Sequence, residues 1–258
     1  MKIAKSFFSI INYKTLLMVV VSLLSSYACV HYEIKAEFPF YLISIAIVFP
    51  IVFSIDSAYK RREHALQFYA DLKGHAISYY LGIRDWLGDK SPDDVEKVRG
   101  ELNQLFVEIS RNFMKKPEEA KSSEFAIYEA MSQLSTHIEG YRALGLGGSE
   151  LSRLHQYVSK MLISYGIVRN IFFYRTPVTL RAYSKIFIYF FPILYGPYSA
   201  STYSDFSHPF MTYIIAVLYS TILVSLDNLQ EHLENPFDQI GEDDIQFEVD
   251  ELKVILSK

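Results

Sequence analysis

Residues 38–55 read FPFYLISIAIVFPIVFSI, an uncharged apolar run that passes directly into Asp56-Ser57-Ala58-Tyr59-Lys60-Arg61-Arg62. A second run, residues 15–30, lies just before it, and two more, 186–198 and 210–226, lie toward the other end. Between the pairs the sequence is polar with helical periodicity. A lone water-soluble domain has no use for such an arrangement, because uncharged runs at both ends need an apolar surrounding. Half the residues are hydrophobic and 16% are aromatic, yet 21% are charged, which suits a membrane protein carrying a large aqueous layer.

The runs hold 16, 18, 13 and 17 residues. Each falls short of the roughly 20 needed for an untilted span, so flanking residues must complete them. Positive charge sets the orientation. Lys2, Lys5 and Lys14 flank the first run, Lys60, Arg61 and Arg62 follow the second, and Arg175, Arg181 and Lys185 precede the third. The loop 31–37 carries only Lys35, and 199–209 carries no Lys or Arg. Positive residues stay inside, so both termini and the middle are expected in the cytoplasm. The basic start and Ser26-Tyr27-Ala28-Cys29 loosely imitate a secretory leader. A second run follows within eight residues, however, and a cleaved leader does not require that.

The middle region reads as helices. Ser91-Pro92-Asp93-Asp94 has the form of a helix start, with Pro at the first position and acids facing the positive end of the dipole. Val95, Val98, Leu102, Leu105 and Ile109 then keep an apolar spacing that Phe106 and Phe113 broaden. Lys116-Pro117 ends that helix. Residues 118–140 and 149–173 form two more, separated by the turn Gly145-Leu146-Gly147-Gly148. The second run meets no breaker after Pro50 until Gly74, so its helix is expected to leave the membrane and continue. No strand is predicted, and the fold class is all-α.

Chemistry is sparse. The histidines, His31, His64, His75, His137, His155, His208 and His232, form no metal-ligand pair. Cys29 is the sole cysteine, which excludes a disulfide framework and a thiolate metal site. Nucleophile elbow, phosphate loop and dinucleotide fingerprint are all missing, so no enzyme is expected. No basic block interleaves with aromatics, and nucleic acid is set aside as a partner. Two constellations remain. Ile45, Phe49 and Phe53 recur at i, i+4 and i+8 and form one stripe, which could face lipid, pack in a core, or narrow a pore surrounded by several copies. Glu234-Asn235-Pro236-Phe237-Asp238, followed by Gly241-Glu242-Asp243-Asp244, offers hard oxygen ligands suited to Ca²⁺, or is simply a solvated acidic tail.

These features together resemble the bestrophin family across essentially the whole chain. The stripe Ile45, Phe49, Phe53 sits where that family carries a hydrophobic neck, followed by Tyr59 and Arg61 where it has a bulky residue and an arginine. Thr176-Pro177 precedes the third run like the family's Ile-Pro or Thr-Pro element. The segment from Glu234 to Asp244 is similar to an Asn-Pro-Phe-Gly-Glu-Asp-Asp signature, departing from it by the insertion Asp238-Gln239-Ile240 and by Ile245-Gln246 after the acids. The resemblance implies a cyclic homopentamer of all-helical subunits around a central pore. Residues 1–258 would form one domain with four membrane spans (15–30, 38–55, 186–198, 210–226) and a cytosolic helical part (57–183 and 227–258). Ile45, Phe49 and Phe53 would line the neck, and Thr176 the cytosolic aperture. A calcium clasp would implicate Asn235, Asp243 and Asp244. The expected function is passive ion conduction, with chloride or another anion favoured over cations, no cofactor, and a bacterial inner (plasma) membrane location. The competing readings are a cation-selective channel of the same kind and a non-conducting, membrane-anchored helical sensor.

Overall fold

A computed structural model describes residues 11–174, 178–202, 210–237, 244–247 and 249–257. Every regular element among them is helical: α1 (Tyr13–His31), α2 (Phe40–Leu87), α3 (Pro92–Phe113), α4 (Pro117–Ser123), α5 (Phe125–Gly140), α6 (Gly148–Phe173), α7 (Val178–Thr202), α8 (Phe210–Glu234) and α9 (Val249–Leu256). The chain divides into two compact units. One comprises Met1–Lys60 and Thr176–Asn235, the other Arg61–Arg175 and Pro236–Lys258.

In the first unit, α1 begins at a capping box. The Asn12 side chain accepts from the Lys14 and Thr15 amides, and Thr15 Oγ1 accepts from the Asn12 amide, so amides that would otherwise be orphaned are satisfied. The inward face of α1 is small and polar. Ser22 Oγ donates to the Ala216 carbonyl (3.4 Å) and Ser25 Oγ to that of Ile193 (2.9 Å), which brings α8 and α7 close. At Gly196 the approach leaves no room for a side chain, since a Cβ there would lie 2.2 Å from Ser25 Oγ. Small residues and hydroxyls at such crossings are how helices associate where lipid offers no hydrophobic drive. Met18, Phe40, Ile47, Ile51, Ile188, Phe191 and Tyr195 fill the space between helices. Near the far end of α8, Glu231 accepts from Lys14 (2.7 Å) and Lys185 (2.6 Å), tying three helices by charge.

Three described helices, α1, α2 and α8, are long and apolar enough to cross a membrane. The third expected run lies in α7, whose 25 residues contain Pro192 and Pro197 and which packs on α1 and α8.

In the second unit, α3 buries Val98, Leu102, Leu105, Phe106, Ile109 and Phe113 along the expected face, with Val95 at its edge. Ser91 Oγ donates to Asp94 Oδ2 (2.5 Å) instead of capping the backbone. The helix expected over 118–140 is two. It breaks at Glu124, where Ser122 and Ser123 hydroxyls take the Glu119 and Ala120 carbonyls and compete with the ladder. The Glu124 carboxylate is held by Arg169 at 2.6 and 2.9 Å. Gly145 adopts φ +88°, a turn that glycine permits, and Gly147 caps α6. Gly74 does not stop α2, which continues to Leu87, where the Gly88 amide closes onto the Arg84 carbonyl.

Candidate functional site

The stripe on α2 lies on the exposed side of its unit. Ile45, Phe49 and Phe53 are 49%, 56% and 61% accessible, and the two rings stand 5.9 Å apart. The opposite face carries Ile47, Ile51, Ser54 and Ala58, each at 1% or less. The helix therefore spends one face on its own core and leaves a second apolar face unused by the chain. That removes internal packing as the stripe's role within one subunit. Val52 belongs to the same exposed face, which beyond Phe53 becomes charged with Asp56 and Lys60, both accessible and paired at 2.7 Å. The sequence reading passed over that pair because it treated the stripe as ending with the apolar run.

Arg61 has a definite partner set. Its Nη2 donates to the Ile171 carbonyl (2.7 Å) and to the Tyr174 carbonyl. These belong to the last turn of α6 and to its C-cap, where carbonyls lack intrahelical donors and the dipole favours a cation. Arg61 thus caps the helix that ends just before residues 175–177. Thr176 and Pro177 lie outside the described residues, as does Asp243.

Of the C-terminal signature, Pro236 and Phe237 are buried. Phe237 stacks on Phe113 at 5.3 Å, meets Phe172 edge-on at 5.6 Å and faces Phe247 at 6.2 Å. The Ile245 amide donates to the Pro236 carbonyl (2.8 Å), closing the segment on itself. Asn235 is half-buried and Asp244 is 7% exposed. Among the described residues no group of three or more His, Cys, Asp or Glu is arranged to hold a metal ion.

Helices long and apolar enough to cross a membrane, one of them with an unused apolar face, define a helical membrane protein. Its backbone is similar to a bacterial bestrophin homologue from Klebsiella pneumoniae carrying one substitution, at a TM-score of 0.79 and 17% identity over 96% of this chain and 98% of that one. Another structure of a bacterial bestrophin homologue from Klebsiella pneumoniae agrees at 0.78, with 18% identity over 95% and 96%. A structure of a substituted membrane protein agrees at 0.79, with 18% identity over 95% and 96%. No family model matches the chain. No curated protein matches it either. The chain has the bestrophin fold.

Proposed function

We propose that this protein is a passive ion channel of the bestrophin type, assembled as a closed homopentamer with α2 nearest the axis. The observation that carries the reading is the apolar face of α2, exposed on a helix whose other face is fully packed. Repeated around an axis, Ile45, Phe49 and Phe53 make a narrow dry neck. An ion crosses such a neck reluctantly because it loses hydration without replacement. Phenyl edges carry partial positive charge, so edge-on Phe49 and Phe53 ease anions through, and we assign the neck itself a preference for chloride-like anions. Thr176 takes the second constriction, following the helix end that Arg61 caps. Both termini and the second unit face the cytoplasm, on the positive side of the charge asymmetry, and the location we assign is a bacterial inner membrane. Flow is passive and calls for no cofactor.

The test is assembly and flux together. Purified protein in mild detergent should show a particle of five subunits with fivefold symmetry, and liposomes containing it should leak ions down a gradient. A monomer or dimer without ion flux would support a membrane-anchored sensor instead and end the channel reading.

A further inference from the structure

Past Phe53 the exposed face of α2 keeps its direction while its chemistry changes. At about 100° per residue, Phe49 lies roughly 40° around the helix from Ile45, Asp56 roughly 20° and Lys60 roughly 60°. The two charged residues therefore bracket the middle of the stripe. Both side chains are open to solvent, Asp56 at 50% and Lys60 at 69%, and Lys60 Nζ donates to Asp56 Oδ2 at 2.7 Å. Ala58, between them in sequence, points into the core at 1% exposure. The pair is thus presented by the same face as the stripe and is not a by-product of packing.

We propose that Asp56 is a selectivity-determining residue of the pore, drawing monovalent cations to the inner end of the neck, with Lys60 as its counterweight. This rests on the reading that the stripe lines a central pore. In a pentamer, the five Asp56 positions then stand about 4.5 Å along the axis beyond Phe53, at 1.5 Å per residue, and Lys60, one turn further on, reaches back to set its ammonium 2.7 Å from the carboxylate. An ion at that point has shed part of its hydration, so fixed charge there weighs more than elsewhere along the path. Low-dielectric walls focus the field of a charged ring. A unit charge about 6 Å away changes an ion's local population roughly threefold even at the dielectric constant of water. Asp56 is the residue of the pair one turn nearer the dry segment, so we assign its carboxylate the sign at the mouth, with the paired Lys60 ammonium offsetting part of its field. Phenyl edges in the neck and carboxylates at its end act in opposite senses, and the Asp56–Lys60 balance decides the outcome.

The competing explanation is a pair that merely staples one turn of helix. Exposed i,i+4 pairs contribute little to stability, so neither substitution should disturb folding. The two explanations also differ in sign. Reversal potentials under a potassium chloride gradient are to be measured for the wild type, Asp56→Asn and Lys60→Gln, each confirmed as an intact oligomer. The selectivity role predicts opposite shifts. Asp56→Asn lowers the cation-to-anion permeability ratio at least about threefold, and Lys60→Gln raises it. Equal shifts in one direction, as loss of a staple would give, overturn the proposal, as does no shift. If the Asp56 variant is inert while truncation of Ile45, Phe49 and Phe53 to Ala raises conductance, the inference fails and the channel reading stands. If neither change touches the current, both fail together.

Discussion

Phe237 offers the sharpest test of how the second unit is held together, because the sequence motif around it also suggested a calcium role. The side chain is 1% exposed and touches three other phenylalanines, Phe113, Phe172 and Phe247. Truncating it to Ala removes a fully buried ring, a transfer loss of about 1.5–3 kcal/mol. The hole left behind adds about 24 cal/mol for each Å³ that does not collapse, which brings the total to about 3–5 kcal/mol. The lost ring–ring geometry lies within that range, at about 0.5–1.5 kcal/mol per pair. For a unit of this size, about 3 kcal/mol lowers the melting temperature by about 10 °C. The assay is thermal unfolding of the whole protein in mild detergent, followed by the surviving oligomer, with hydrogen exchange read across Phe113 and Phe172. Phe237→Leu should retain most of the stability because it refills part of the space. A Phe237→Ala protein melting within about 2 °C of the wild type, with unchanged exchange, would refute the packing role.

Gly196→Val should prevent the α1–α7 crossing, since its Cβ would meet Ser25 backbone atoms at 2.9 Å, and detergent extracts should yield little assembled protein. Arg61→Gln should cost about 1–3 kcal/mol in lost hydrogen bonds to Ile171 and Tyr174 and should speed amide exchange at the end of α6. With Cys29 replaced by Ser, Lys35→Cys in intact cells should react with an impermeant thiol reagent and Arg62→Cys should not. The reverse pattern would invert the topology.

Much of this architecture was legible because it is local. The buried face of α3 follows from the spacing of Val98, Leu102, Leu105 and Ile109, and its start from Ser91-Pro92. The stripe on α2 was legible as a stripe, but its exposure was not. That depends on Ile47 and Ile51 facing the core instead, and two apolar faces of one helix look alike in sequence. The break at Glu124 escaped because the local serine competition is joined by contacts from elsewhere: Asn112 accepts from Ser123, and Arg169 holds Glu124. Arg61 could be matched to a family position, but its partners on α6 lie more than a hundred residues away. The helix expected to continue past the membrane does so through Gly74, since one glycine inside a long helix costs only about 1 kcal/mol, which packing easily offsets.

The central claim is that ions pass along the face formed by Ile45, Phe49 and Phe53. Its most direct test is single-channel recording from purified oligomers in which all three are replaced by Ala. These side chains support no core within the subunit, so the oligomer should survive the change. A widened neck should then carry a larger unitary current than the wild type. An intact oligomer with unaltered unitary current would show that ions do not cross this face of α2.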